Sequence, residues 1–407
     1  MSKLPNTSFD EIAKLCLDTY EKLPKTGKPT LEEWTVLSCV VLWDVENDRT
    51  EVVSLGTGTK CIGATKMSSS GDLLNDSHAE VVARRGFLLY LYDNINRVLN
   101  NEQSIFLKEN GKFKLSDKIK FIFYSSQLPC GDASIMPKND DSESFGEVLQ
   151  SNKREAGYNF VDKCRKRTRA EVEDIHRTGA KCLPQAVQDT KQPGVCYHLL
   201  GQVRTKPGRG DKTLSVSCSD KIARWIHIGI QGSLLNILLT KPIYIHHFIF
   251  GAKVPFSTES LTRAFLNRTE FVSLDVIPEF YQSTLEFVYR KKENNTRPGI
   301  LVCNFLLEVA VQGRKLGVTK KKIKSPNSFL CITKYSLFKK FIEILSKCKK
   351  LTQFINVGDD IKAIPYNVMK KKCTEYTKKW DIVKFNFFKI WTKKPDIFNF
   401  MLVSFIH

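Results

Sequence analysis

The chain has 407 residues, a formal net charge of +20 and 42% hydrophobic residues, enough to bury a sizeable core and basic enough to point to a polyanionic partner. No apolar run reaches the ~20 residues of a membrane span, and Met1-Ser2-Lys3-Leu4-Pro5 opens on no apolar leader. Twelve cysteines without paired spacing read as reduced intracellular thiols, in cytoplasm or nucleus, rather than a disulfide framework.

In chain order, residues 36–43 and 51–55 flank Asp44-Val45-Glu46-Asn47-Asp48 and predict a β-hairpin. A loop then leads from Gly56-Thr57-Gly58 to His78. Val81, Val82, Phe87, Leu88, Leu91 and Ile95 recur at helical spacing and predict a helix over 79–98. Residues 118–124 (KIKFIFY) read as a buried strand, and Pro129 as the first turn of a helix, so the arrangement is α/β. Residues 139–192 are polar and weakly patterned, an insertion with some helix near 169–177, and order is expected to return at Tyr197-His198. A helix is expected from Ser219 through Trp225 towards Gly229, and residues 243–250 and 300–311 as further core strands. From Arg314 onward, 22 basic residues stand against 6 acidic ones. They are interleaved with Tyr366, Tyr376, Trp380, Phe385, Phe387, Phe388 and Trp391, so this segment folds, and folding concentrates charge that an anion would offset.

Three segments carry metal-ligand chemistry: His78-Ala79-Glu80, Pro129-Cys130-Gly131 and Ser217-Cys218-Ser219-Asp220-Lys221. One imidazole and two thiolates suit Zn²⁺, and three protein ligands leave the fourth tetrahedral position to water. Zinc lowers the pKa of such a water towards neutrality. Glu80, two residues past His78, can face it without ligating and move its proton to a purine ring nitrogen and then to the leaving amine. His, Cys, Cys and a non-ligand Glu are the parts of a zinc base deaminase. Cys130 and Cys218 are both expected at helix N-termini, where the dipole favours thiolate. Each piece alone is weak, since a lone His-Ala-Glu is more often an ordinary histidine and a Pro-Cys usually a buried small residue. The three together carry the reading; Cys61, without a partner at ligand spacing, is given no metal role. Most zinc deaminases place their thiols as Cys-x-x-Cys, yet the third residue after Cys130 is Ala133, and the second thiol comes from Cys218.

Leu74-Asn75-Asp76-Ser77-His78-Ala79-Glu80 with Arg84-Arg85, Pro129-Cys130-Gly131-Asp132-Ala133, and the run from Ser217 to Trp225 resemble the adenosine deaminases acting on RNA. Arg177-Thr178-Gly179-Ala180-Lys181-Cys182 and the run from Arg204 to Asp211 resemble the tRNA branch of that family. The resemblance extends from Phe9-Asp10-Glu11-Ile12-Ala13 to Trp391. It implies a cytidine-deaminase-like α/β core, a mixed central sheet flanked by helices, with a basic, mostly helical C-terminal extension packed on it. One adenosine-to-inosine deaminase domain would then fill residues 1–407, with the zinc core at about 30–250, the insertion at about 139–192, and residues 251–407 completing an inositol-phosphate site.

The resemblance further implies zinc on His78, Cys130 and Cys218, and Glu80 as proton shuttle for attack of the activated water on C6 of adenine. Its substrate would be the adenosine immediately 3′ of the anticodon of alanine tRNA, with no obligate protein partner. It also implies a buried inositol hexakisphosphate, a polyanion that needs charge-assisted donors on all sides. By motif position the donors are Asn75, Val81 through its backbone, Arg84, Arg85, Ser215, Lys221, Arg224, Gly232 and Ser233 from the core. Lys334, Tyr366, Lys370, Tyr376, Trp391 and Lys394 follow from the C-terminal segment, with Lys378 or Lys379 as substitutes for its lysines. Asp76, Lys206, Lys221 and Gln231 would link this ligand to the metal. Thr59 and Lys60 match positions that contact the target ribose and phosphate, and Arg209 would approach the extruded base. Lys163, Arg165, Lys166, Arg167 and Arg169 would clamp the RNA backbone. No separate RNA-binding module is evident ahead of the core, which disfavours editing of duplex mRNA. A cytidine deaminase is disfavoured by the split cysteines, and a non-catalytic RNA or inositol-phosphate binder by the presence of Glu80.

Overall fold

The computed structural model describes residues 8–30, 32–138, 174–208, 210–268, 272–291, 299–303, 306–355 and 360–402. Eight strands form one mixed sheet: β1 (Leu37–Asp44), β2 (Arg49–Thr57), β3 (Ile119–Ser125), β4 (His247–Phe250), β5 (Glu279–Gln282), β6 (Gly299–Cys303), β7 (Leu306–Val311) and β8 (Arg314–Lys315). Their order across the sheet is β5-β4-β3-β1-β2-β6-β7-β8. The β3–β4 and β4–β5 pairs are parallel and the rest antiparallel. Four of the eight strands therefore come from β5 onward or end beyond residue 250.

Period-2 alternation divides the sheet between two cores. Leu37, Cys39, Val41 and Trp43 of β1, with Ile122 and Tyr124 of β3, face one side. There α1 (Phe9–Glu21) covers them with Ile12, Ala13, Cys16 and Tyr20. Val40 and Leu42, with Phe121 and Phe123, face the other side and the larger core. Against that side lie α2 (Ala79–Leu99), α3 (Cys218–Ile228), α4 (Gly232–Leu238) and α5 (Thr258–Phe265). The basic segment packs onto the same core through α6 (Lys334–Ser346), α7 (Tyr366–Lys371) and α8 (Thr374–Val383), contributing Phe338, Phe341, Met369, Tyr376, Val383, Phe387 and Phe388. The expected helical extension is thus an integral layer of the core. Among the described residues no helix is long and apolar enough to cross a membrane.

Several expectations need correction. The hairpin is there, with a register shift between Val40 and Val41, but the expected strand over 300–311 is two antiparallel strands, β6 and β7. Of the expected strand over 243–250, only His247–Phe250 is regular strand; the His246 N–H already bonds the Phe121 carbonyl at 2.9 Å, while the Ile243 N–H goes to the Gln231 side-chain oxygen at 2.9 Å. Pro129 begins no helix; the segment makes a single 3₁₀ turn at Asp132–Ser134. Order returns well before Tyr197. Ile175–His176 pairs as a strand with Met136–Pro137, where helix was expected, and Lys181–Cys182 pairs with Arg204–Thr205. The remainder of the expected helix at 169–177 lies outside the described residues.

Candidate active site

A short hairpin delivers the first ligand: Thr59 pairs with His78 and Lys60 with Ser77. His78 is the N-cap of α2, in extended conformation, so the chain turns from strand to helix at the imidazole. Glu80 follows in the first helical turn and is buried. Cys218 opens α3, whose N-cap Ser217 accepts a hydrogen bond from the Asp220 N–H. Cys130 instead sits in a loop. Gly131 after it has φ 109°, and a Cβ there would lie 2.3 Å from Ser217 Oγ. The close approach of the two cysteine segments therefore requires glycine and rules out the helix expected after Pro129. Ser219 stitches the segments together: its Oγ donates to the Cys130 carbonyl at 2.9 Å and accepts from the Ala133 N–H at 3.1 Å, while its N–H donates to the Cys130 carbonyl at 3.0 Å.

His78 Nδ1 lies 3.9 Å from Cys130 Sγ and 3.7 Å from Cys218 Sγ, and the three ligand atoms are within 4.8 Å of one another. A tetrahedral zinc with bonds of about 2.0–2.3 Å spaces its ligands about 3.5–3.8 Å apart, so the donor set fits that ion. The Cys218 N–H points at the Cys130 sulfur at 3.4 Å. Hydrogen bonding from Cys218, helped by Lys206 and His78, holds the Cys130 thiol well below its ordinary range, as a metal ligand needs. Burial pushes the Glu80 carboxyl above its usual range, with His78 and Lys206 acting the other way. A raised carboxyl beside a metal-ligand cluster is suited to accepting and giving back a proton.

Lys206, 2% exposed, joins this centre to a second one. Its Nζ lies 3.0 Å from Cys218 Sγ and 2.9 Å from Asp76 Oδ1, and Lys221 meets the other Asp76 oxygen. Burial alone would raise the Asp76 carboxyl, but Lys206 and Lys221 outweigh it and hold it far below the carboxylate range. Gln231, expected in the same relay, takes no part in it: its amide bonds Asn236, the Ile228 carbonyl and the Ile243 N–H.

Beyond Lys221 opens a cavity of about 290 Å³. All fifteen residues assigned by motif position to a phosphate ligand line it: Asn75, Val81, Arg84, Arg85, Ser215, Lys221, Arg224, Gly232, Ser233, Lys334, Tyr366, Lys370, Tyr376, Trp391 and Lys394. Arg84 anchors on the Ile230 carbonyl at 2.8 Å, Arg85 on that of Ile332 at 2.5 Å. Gly232, at φ 76°, leaves room for the Arg84 guanidinium, which a Cβ would meet at 2.9 Å. The Arg224 guanidinium lies 3.8 Å over the Trp380 ring, with Tyr376 and Trp391 each at 5.8 Å, so Trp380 is the platform for this cation. Among the described residues, seven cations and one carboxylate, Asp76, line the cavity. Burial and mutual repulsion push Lys334 down to about 6, Lys370 and Lys394 to about 8, and Arg84 to about 10. Ser233 Oγ and Arg224 Nε are buried there without a hydrogen-bond partner. A polyanion with many acceptor oxygens fits this lining, as hydrogen-bond acceptor and as counter-charge. Lys379 is no substitute, being bonded to Asp275 and Tyr244.

The adenosine-deaminase (editase) domain family matches residues 54–395. The chain belongs to that family. It is 35% identical to tRNA-specific adenosine deaminase 1 of Drosophila melanogaster over 95% of this chain and 94% of that one. Its identity with the human protein of the same name is 33%, over 96% of this chain and 99% of that one. The double-stranded RNA-specific adenosine deaminase of Mus musculus is 27% identical over 94% of this chain, which spans 31% of that protein's length. The editase domain thus encloses every residue of the ligand triad and the cavity.

Of the substrate-contact candidates, Thr59 and Lys60 stand on the hairpin that carries His78. Arg209 and the cluster Lys163, Arg165, Lys166, Arg167 and Arg169 lie outside the described residues. Sequence reasoning missed Thr178, whose Oγ1 accepts the Gly131 N–H at 3.1 Å. It also missed the buried clamp of Asp189 on Arg204 (2.6 and 2.7 Å) and His198 (2.9 Å). Asp189 lies inside the stretch read as an unpatterned insertion, so no periodicity pointed to it.

Proposed function

We propose that this chain hydrolytically deaminates adenosine to inosine in tRNA, at the adenosine immediately 3′ of the anticodon, with alanine tRNA as substrate. The observation that carries the chemistry is the His78–Cys130–Cys218 triad at tetrahedral spacing beside buried Glu80. The triad would hold Zn²⁺, which supplies a water acidified to near neutrality. Glu80 would accept a proton from such a water, pass it to the purine ring nitrogen, then carry the second proton to the amine so that it leaves as ammonia. Lys206 opposes the burial and the Cys130 neighbour that push the Cys218 thiol up, and keeps Asp76 charged. The cavity cations would hold inositol hexakisphosphate, which makes Asp76, Lys206 and Lys221 a hydrogen-bonded path between the polyanion and the metal ligands. Thr59 and Lys60 would meet the target ribose and phosphate. The tRNA assignment is supported by relatives whose names carry it over nearly the full chain.

The test compares wild type with Glu80→Ala on an unmodified alanine tRNA transcript, reading inosine by sequencing. Inosine beside the anticodon from wild type alone is the expected result. Zinc-loaded wild type that makes no inosine in any tRNA overturns the proposal.

A further inference from the structure

Two buried carboxylates stand at the same offset from the two thiol ligands. Asp132 is two residues past Cys130, Asp220 is two past Cys218, and both are 0% exposed. Each is met by an arginine from the α5 region. Arg263 Nε lies 3.2 Å from Asp132 Oδ2, and its Nη2 donates to the Asp132 and Ile135 carbonyls, both at 2.7 Å. Arg268, three residues past the end of α5, puts Nη1 2.5 Å from Asp220 Oδ1 and anchors Nε on the Ala264 carbonyl at 2.8 Å. The other carboxylate oxygens are also held: Asp132 Oδ1 accepts the Gly201 N–H at 2.8 Å, and Asp220 Oδ2 accepts the Arg204 N–H at 3.0 Å.

A buried ion pair adds little net stability over a well-packed apolar pair of the same volume. What it supplies is direction, and here both pairs act on the same thing. They tie the two thiol-bearing segments to α5 and the residues just after it, from arginines five positions apart that neither line the polyanion cavity nor serve as ligands. The Phe387 and Phe388 rings lie 5.4 and 5.3 Å from the Arg268 guanidinium, so the basic C-terminal segment packs against the same brace.

We infer that Arg263 and Arg268 are positioning residues that set the Cys130–Cys218 spacing through Asp132 and Asp220, and thereby govern how tightly the centre holds its metal. The inference rests on reading the triad as a metal centre. Outer partners that orient metal ligands are worth roughly 10–100-fold in metal affinity, and a lysine cannot reproduce the forked geometry of a guanidinium.

The experiment uses the full chain, loaded with zinc, as Arg263→Lys and Arg268→Lys. Leu261→Ala serves as control, because it hollows the same helix without touching either carboxylate. Zinc release to a chromogenic chelator is followed, and the thiolate-to-metal absorption of the cobalt-substituted proteins is recorded. Expected are zinc affinities roughly 10–100-fold weaker in the lysine variants with a displaced cobalt band, while KM for tRNA stays unchanged. Leu261→Ala should unfold more easily yet keep the wild-type zinc affinity and spectrum. Should Arg268→Lys not fold, Arg263→Lys carries the same comparison. Lysine variants indistinguishable from wild type, or a control that loses zinc equally, overturn the inference alone. Wild-type protein that takes up no zinc overturns the metal-centre reading with it.

Discussion

Glu80 shows how one side chain's environment fixes its task. On a surface helix its carboxyl would stay ionised at neutral pH and shuttle protons poorly. Enclosed in the first turn of α2, it is raised by burial while His78 and Lys206 restrain the rise, which leaves it able to take a proton and return it. Replacing it with Gln keeps the volume and removes the exchangeable proton. Glu80→Gln should therefore lower single-turnover inosine formation by about 10²–10⁴-fold, with zinc content and tRNA affinity unchanged; loss of binding in parallel would assign Glu80 to the substrate instead. Lys206 poses the opposite case, a buried cation that is tolerable because Asp76 and the Cys218 sulfur face it. Neither role shows in a residue's type alone, but His78 and Glu80 two apart, with Pro-Cys and Ser-Cys-Ser-Asp-Lys elsewhere, made both sides of the centre legible.

At the scale of elements, regular periodicity was readable and irregular packing was not. The β1–β2 hairpin, β3 and α2 follow from alternation and helical spacing within a residue or two. The loop at Cys130 misled because Pro-Cys-Gly reads locally as a helix start, whereas the Gly131 backbone and the nearness of Ser217 are tertiary facts. Likewise residues 174–205, polar and without period, are ordered by long-range bonds centred on Asp189. That carboxylate takes both Nη groups of Arg204 and the His198 ring, with side-chain exposures of 11, 0 and 4%. Removing one partner of such a buried pair strands the other, so Asp189→Asn should cost about 3–5 kcal/mol, measured by urea unfolding. Burial would raise this carboxyl, but Arg204 and His198 hold it far below its usual range. The unfolded chain therefore binds the proton first, near pH 4. The stabilisation is complete above that pH and is lost as pH falls below it. Unfolding midpoints of wild type should drop more steeply below about pH 4 than those of Asp189→Asn, and parallel curves would remove Asp189 from the account.

For the whole molecule, the net charge of +20 is less a surface property than a division between surface and cavity. Arg84, Arg85, Lys221 and Arg224 come from the α2 and α3 region, Lys334, Lys370 and Lys394 from the C-terminal segment, and they converge on one space. Folding brings these like charges together, so an anion held between the C-terminal layer and the core, as proposed above, would stabilise that layer. A chain ended after Lys350 loses Tyr366, Lys370, Tyr376, Trp391 and Lys394 from the lining; it should be insoluble or free of zinc, and a soluble, zinc-loaded product would refute the coupling. The pH dependence gives a second handle. With no anion bound, Lys334 titrates near 6 and Lys370 and Lys394 near 8, whereas the unfolded lysines titrate near 10.4. Between those values the unfolded state carries more protons, so stability rises with pH across the window from about 6 to 10. Protein refolded without phosphate ligand should melt at higher temperature at pH 9 than at pH 6.5. Adding inositol hexakisphosphate restores the lysine charges and should raise the melting temperature most at pH 6.5, where the repulsion it relieves is greatest. An equal rise at both pH values would mean that the ligand binds elsewhere than among these lysines.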